Sequence, residues 1–472
     1  MTKTRNLADL GGGFIQAGTG AVQRTVESKL QDVVSVKDFG AVGDGVADDT
    51  AAIQAAINSP ATTILIPQGS YLISAAISIN SGKTLRGYGR EVTSIVVSGG
   101  APSFNALLVK NDSTLADLTV NLNDKASSTG VFLDNASRAS VLNVRSINCG
   151  FHGIALTNGA RYNRIFDCET SGNGHRGVIL SAADYNQVRN LRSFDNDLAG
   201  LLIYNGNHNI IHSLSIESIN NNGIWVHMDS HYNILKGVTV TNPVQTSSAG
   251  LYVGGNASHN IFSEFVFSGS DRAVLVRGSS VDPGLTDGDT RENVFSCFQI
   301  RGRGSGIAGS TGVKFESFSG GFKAAKNKFS DIVFADLENG FNWTNSAATD
   351  TLQNYISDCH ALDNVTYPWR FGSTTPGGGG NRINNLAGYT PAGALALDPA
   401  APAIPADTVP VANPYPFSVM INISGLTGNY LINDTNSGLP DNLGNYTLIL
   451  AAGQTITLNY SSGTPAWRWW GI

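Results

Sequence analysis

The feature that most constrains this chain is an internal repeat. The unit Asn-x-(Ile/Val/Leu/Phe) occurs at Asn163-Arg-Ile165, Asn186-Gln-Val188, Asn209-Ile-Ile211, Asn233-Ile-Leu235 and Asn260-Ile-Phe262, and returns at Asn293, Asn327, Asn354 and Asn381. The first steps are 23, 23, 24 and 27 residues (163→186→209→233→260). A second unit, Gly followed by apolar residues, keeps the same beat at Gly130, Gly153, Gly177, Gly200, Gly223 and Gly250. Two registers sharing one period mean that each repeat is a supersecondary unit stacked on its neighbours. A period in the low twenties also suits leucine-rich repeats, but those need a Leu ladder with a helical return. Here each unit is rich in β-branched and aromatic residues, which favour strands. Three short strands and three turns per coil fit better, giving an all-β, right-handed parallel β-helix. Coils then stack at about 4.8 Å, so equivalent positions lie over one another. The repeated Asn would form a ladder inside one turn, a structural role. After residue 270 the steps lengthen to 33 and 34 (260→293→327), which predicts protruding loops at 283–289 and 301–306.

Composition agrees. Charged residues are 14% of the chain, against roughly 25% in an average soluble domain. With 54 Gly among 472 residues, short strands and tight turns are favoured over long surface helices. The net charge of −6 offers no basic stripe for phosphates, so nucleic acid is not an expected partner. The four cysteines, Cys149, Cys168, Cys297 and Cys359, lack metal-ligand spacing and read as buried free thiols. No metal or other cofactor is expected. Neither a signal peptide nor a run of about 18 apolar residues is found, so membrane insertion is not expected. The protein should be made in a cytoplasm and leave it by lysis or a dedicated machine.

Ahead of the repeats, Val34–Ile57 combines a Gly43-Asp-Gly45 turn, two acids and an amphipathic stretch. Asp48 and Asp49 stand where a helix N-cap and a first-turn acid belong. Ile53, Ala56 and Ile57 give the helix one apolar face, with which it can plug the open first coil. This stretch closely resembles the opening motif of the pectate-lyase-like β-helix superfamily. Thr4–Asp9 and Val22–Leu30 resemble the lead-in of phage tailspikes of that superfamily. The resemblance implies a homotrimeric spike in the tail of a virion, attached through a baseplate or adaptor protein. It also implies a bacterial surface polysaccharide as ligand and an action at the host cell surface. The expected organisation is a lead-in over 1–34, the β-helix over 35–389, an Ala/Pro-rich linker over 390–408 and a small antiparallel β domain over 409–472. That last segment closes on Trp467-Arg-Trp-Trp470, rings that suit a trimer contact, a core or a sugar platform.

The repeat also lets outward columns be built. Six residues past each ladder Asn lie Glu169, Arg192, Ser215 and Thr239, with Arg145 from the coil before; eight past lie Ser171, Phe194, Glu217 and Thr241. Strand alternation turns these outward. Arg145, Glu169, Arg192, Glu217 and Phe194 should share one exposed face, with Asp195 at its edge. The bland alternative is a solvated ladder of ion pairs, worth under about 1 kcal/mol each. On the face led by the Gly unit, Tyr204, Trp225, His227 and Tyr252 are outward. They could stack on sugars, or pack against another subunit. Glu169, Asp195 and Glu217 are the candidate catalytic carboxylates. Arg145, Arg192, Tyr204, Trp225, His227 and Tyr252 are the candidate substrate-binding residues. The motifs of the superfamily's polygalacturonases are not matched: Gly172-Asn-Gly-His-Arg-Gly177 carries Arg176 where Gly belongs. No catalytic residue is carried over from them. The expected activity is endo-acting glycoside hydrolysis of capsule, O-antigen or exopolysaccharide, with a polysaccharide lyase next. The alternatives are a non-catalytic receptor-binding spike or a structural fibre of the same fold.

Overall fold

The structure, a computed structural model, describes residues 13–217, 221–241, 249–278, 288–303, 309–317, 323–345, 353–362, 364–371, 382–384, 409–414, 419–424, 427–432, 435–436, 445–451, 453–462 and 466–471. Thr4–Asp9, Asn381, the linker over 390–408 and most of the two expected loops lie outside them. The chain divides into two compact units, Met1–Asp197 and Leu198–Ile472.

The first unit is built of parallel strands stacked coil on coil. The Gly-unit strands Ile77–Ile79, Leu107–Val109, Val131–Asp134, Ile154–Thr157 and Arg176–Ser181 pair in that order. The Asn-unit strands Thr114–Ala126, Ser140–Gly150, Arg164–Phe166 and Gln187–Phe194 do the same. Each Asn-unit coil turns a corner at one left-handed residue: Asp117 (φ 58°), Asn143 (51°), Asp167 (58°) and Asn190 (51°). Asp and Asn tolerate that conformation better than other residues with a Cβ. Inside the coils, Val141, Val144, Ile165, Val188 and Leu191 are buried.

The opening helix, Thr50–Asn58, buries Ile53, Ala56 and Ile57 as its spacing predicts. Its two acids sit one place off the expected roles: Asp49 is the N-cap residue but makes no side-chain capping bond, and Asp48 before it accepts from the Thr50 backbone N–H at 3.0 Å. Asp49 is buried and accepts from the backbone N–H of Val42 (2.6 Å) and Gly43 (3.1 Å), tying the Gly43 turn to the helix. Gln54 covers the edge of strand Ile77–Ile79. Its Oε1 accepts from the Ser78 N–H (2.9 Å) and its Nε2 donates to the Ser78 carbonyl (3.1 Å). A single amide thus replaces the neighbouring strand that the first coil lacks.

The second unit repeats the plan. Ala199–Tyr204, Asn222–His227, Leu251–Gly254, Arg272–Gly278, Thr311–Ser317, Asn339–Asn345 and Tyr367–Phe371 form one parallel stack. Ile210–Glu217, Ile234–Thr241, Ile261–Ser268, Val294–Arg301 and Lys328–Ala335 form another. Its core is aromatic: Phe262, Phe295 and Phe329 stack at 4.9 and 4.5 Å, and Phe265 stacks on Phe298 at 4.9 Å. Near the C-terminus the pairing becomes antiparallel, with Val419–Ser424 between Asn445–Leu450 and Ala466–Gly471.

The Asn ladder is present in both units. In the first, Asn163 Nδ2 donates to Asn186 Oδ1 (3.0 Å) and to the Ala136 carbonyl (2.9 Å). In the second, Asn209, Asn233, Asn260, Asn293, Asn327 and Asn354 link in file at 2.9–3.1 Å, and all are fully buried. Asn173 and Asn196 form a shorter ladder at 2.7 Å, too brief to stand out as a repeat. One thiol departs from expectation: Cys297 is exposed, because it holds a left-handed corner (φ 59°) equivalent to that of Glu264 and Asp331.

Candidate functional site

In the first unit the outward column forms as the spacing requires. Arg145, Glu169 and Arg192 are backbone partners on successive strands, and Ser171 pairs with Phe194. Val144 and Ser146 point inward and are buried, which turns Arg145 out. Glu169 Oε1 accepts from Arg145 Nε at 2.8 Å, and Glu169 Oε2 lies 3.9 Å from Arg192 Nη1. The Arg192 guanidinium rests over the Phe194 ring at 4.3 Å, and Arg189 over Phe166 at 5.3 Å.

Glu169 is only 8% exposed, whereas the alternation made it a surface residue. Arg145 and Arg192 flank its carboxylate, and Arg145 is itself held by the turn Tyr88–Val92, which the repeat does not mark. It is anchored by the Gly89 N–H on the Asp117 carbonyl (3.0 Å), the Val92 N–H on the Gly89 carbonyl (3.1 Å) and Thr119 Oγ1 on the Arg90 carbonyl (2.7 Å). From it Glu91 grips the far side of Arg145, accepting from Nη2 at 2.7 Å and Nη1 at 2.9 Å. Hydrogen bonding from Arg145 holds the Glu91 carboxyl below its usual range. Arg145 therefore stands between two carboxylates, an inner one and an outer one. Asp195 is exposed in the turn after Phe194, in a left-handed conformation (φ 51°).

Beside this row, the Gly172–Gly177 segment brings His175 onto Phe151 (4.6 Å, stacked) and within 5.1 Å of His152. Burial, with Arg176 next, pushes His175 down to about 4 and His152 to about 3.

The remaining expected site residues are in the second unit. Glu217 is half-buried, and its Oε1 accepts from Ser215 Oγ at 3.2 Å. Leu202, Trp225, Tyr252, Leu275 and Lys314 form one outward column, and Tyr204 pairs with His227. Trp225 and Tyr252 meet edge to face at 5.5 Å, with His227 5.3 and 5.6 Å from them. Only Tyr204 is exposed. Trp225 is half-buried, while Tyr252, packed on Ala249 and Leu275, and His227 are buried. Burial, and then Arg277, lowers His227 to about 4. Gly255 (φ 58°) makes room for the ring, since a Cβ there would lie 2.8 Å from His227 Nε2.

Next to these rings stands a carboxylate that the repeat did not single out. Glu316 accepts from Arg277 Nε at 3.0 Å, lies 2.5 Å from Lys314 Nζ and is 3.9 Å from Arg272. Burial pushes its carboxyl up, but Lys314 and Arg277 bring it below the ordinary value on balance. The signal was present in the sequence: Arg272 and Arg277 flank an apolar run, and Lys314 and Glu316 alternate with Val313 and Phe315. It was hidden because the period breaks after residue 270. Among the described residues no group of three or more His, Cys, Asp or Glu is placed to hold a metal ion.

Residues 33–252 match the family described as Rhamnogalacturonase A/epimerase, pectate lyase-like. Over that segment, under half of its length, the chain is similar to this family. The matched segment contains Glu91, Arg145, Glu169, Arg192 and the Trp225–Tyr252 pair; Glu316 lies beyond it. The pre-neck appendage protein of Bacillus phage phi29 is 29% identical over 171 residues, which is 32% of this chain and 20% of that protein. The chain therefore matches only a fifth of that relative's length. A double mutant of the tailspike of E. coli bacteriophage HK620, in complex with a pentasaccharide, aligns over 98% of this chain and 97% of its own, with 13% identity and a TM-score of 0.52. PfbA, a surface adhesin of Streptococcus pneumoniae, aligns over 71% and 90%, with 13% identity and a TM-score of 0.57. At such identities the likeness is one of fold.

Proposed function

We propose that this chain is a phage tailspike that binds a bacterial surface polysaccharide and hydrolyses it. The observation that carries the reading is the Arg145–Glu169–Arg192 row with Phe194 beside it. Carboxylate, guanidinium and ring on one outward face are the groups that recognise sugar hydroxyls and apolar sugar faces. A phage appendage protein and a tailspike complexed with a pentasaccharide, among the proteins it resembles, support this reading. The spike would be a homotrimer mounted on the virion through its baseplate or an adaptor.

For the chemistry we favour Glu169 and Asp195 in the first unit and Glu217 in the second. Asp195 lies one strand on from Glu169 and three residues further along, so their backbones are offset by about 5 Å and about 10 Å in the two directions. That separation suits an inverting pair, about 6.5–9.5 Å between carboxyls, better than a retaining pair at about 5–5.5 Å. The purified protein should release reducing ends from the capsule or O-antigen of its host, and Asp195→Ala should lower that rate at least a hundredfold. Product absorbing as an unsaturated uronate would mean elimination, and full activity in both Asp195→Ala and Glu169→Ala would remove these residues from the mechanism.

One observation favours a receptor-binding spike that does not cut: Glu169 already commits one oxygen to Arg145. Tight binding of host polysaccharide without any product would select this second reading.

A further inference from the structure

The Arg145 guanidinium is held from two sides by very different carboxylates. Glu169 is buried, pairs through Arg145 Nε and comes from the neighbouring strand of the stack. Glu91 comes from a turn and its side chain is 66% exposed, yet it takes both terminal nitrogens, Nη1 and Nη2. The inner pair fixes the plane and position of the guanidinium. The outer pair occupies the two parallel N–H donors that suit a carboxylate best. The backbone of the Tyr88–Val92 turn is hydrogen-bonded in place, so only the Glu91 side chain has to move to open that fork. A partner for the displaced side chain is at hand, since Arg90 Nε already lies 3.5 Å from Glu91 Oε1.

We propose that the outer edge of Arg145 is a subsite for the carboxylate of an acidic sugar, and that Glu91 is a built-in stand-in which such a ligand displaces. This rests on reading the outer face of the first unit as glycan-binding, and adds to it a ligand class and a gate. An exposed ion pair is weak because water solvates both charges well. Glu91 therefore lowers the affinity for an acidic ligand by a small factor without blocking the site. Besides the part proposed for it in the chemistry, Glu169 holds Arg145 in the orientation the incoming carboxylate needs.

The test is a titration of the full chain with D-galacturonate and D-galactose, followed by NMR shifts, for the native protein, Glu91→Gln, Arg145→Lys and the double variant. Glu91→Gln should bind galacturonate roughly three- to five-fold more tightly than the native protein. Galactose binding should be unchanged. Arg145→Lys, which keeps the charge but loses the fork, should abolish the gain in the double variant. Equal galacturonate affinity in the native protein and Glu91→Gln overturns the proposal, as does a gain that persists in the double variant. An equal gain for acetate or inorganic phosphate overturns the assignment to a sugar acid. A parallel binding assay with host polysaccharide separates the two readings. If the protein binds none while Glu91→Gln gains galacturonate, the tailspike reading fails and the subsite stands. If polysaccharide binds but Glu91→Gln gains nothing, the reverse holds.

Discussion

The two units each carry an outward acid among cations, and they treat it differently. In the first, Glu169 sits between two arginines, one of which is also paired with an exposed side chain, Glu91. In the second, Glu316 is met by Arg277, Lys314 and Arg272 beside the Tyr252 ring. Both columns come from the same strand alternation. The first has a partner that solvent can replace, which suits a surface open to ligands. The second is closed by its own side chains, which suits holding strands together. Equivalent positions on a solenoid thus become a binding face or a structural clamp according to what covers them.

The largest expected effect that would break this contrast is at the clamp. Glu316→Ala leaves the cations turned toward it without their acid, and should cost about 3 kcal/mol of stability, read as a lower urea midpoint. If Glu169→Ala costs as much, the two faces are not different in kind. Acid should act on the second face next. His227 is lowered to about 4 in the fold, below its ordinary value of 6.5. The unfolded chain therefore takes up the proton first as pH falls. Stability from keeping this ring neutral is complete above about pH 6.5 and is lost down to about pH 4, by up to about 3 kcal/mol. His227→Phe should flatten that part of the stability–pH curve; an unchanged slope assigns it to the other histidines lowered by burial, His152, His175 and His231. Third, Gly255→Ala should cost about 2 kcal/mol, because a Cβ there meets His227 and the backbone is left-handed. An unaltered melting temperature would mean that the ring has room to move. Fourth, Glu169→Gln should lose about 1 kcal/mol, since shape and one acceptor remain and Glu91 still pairs Arg145. Smallest of all, Glu91→Ala should leave the melting temperature unmoved while changing ligand affinity. A measurable loss of stability there would make the first face a clamp as well.

Much of this was legible beforehand because a solenoid converts sequence period into position. Asn163 and Asn186 were expected in file and hydrogen-bond as such; Arg145, Glu169 and Arg192 were expected in one column and pair strand to strand. Trp225 and Tyr252 were expected together, and meet at 5.5 Å. The exposure of these residues was misjudged. Glu169 and Tyr252 are outward yet buried, Cys297 is a thiol yet exposed, and Asp49, at the helix N-cap, gives its carboxylate to the Gly43 turn instead of the helix. Each of these depends on a contact made outside the repeat: the Tyr88–Val92 turn, the packing of Ala249, a left-handed corner, or the Gly43 turn.

The sequence by itself determined the stacking: the period, the inward and outward parity of each strand, the Asn ladder and the helix that plugs the first coil. These follow from local chemistry repeated at a fixed interval, which alternation and amide pairing translate directly into space. Only the tertiary structure decided which outward residues meet solvent, which carboxylate is shared by which cations, and that Glu91 reaches Arg145 from 54 positions away. Such contacts arise between segments that share no period, so no spacing announces them; they exist because burial leaves a charge needing a partner, and the fold supplies the nearest one.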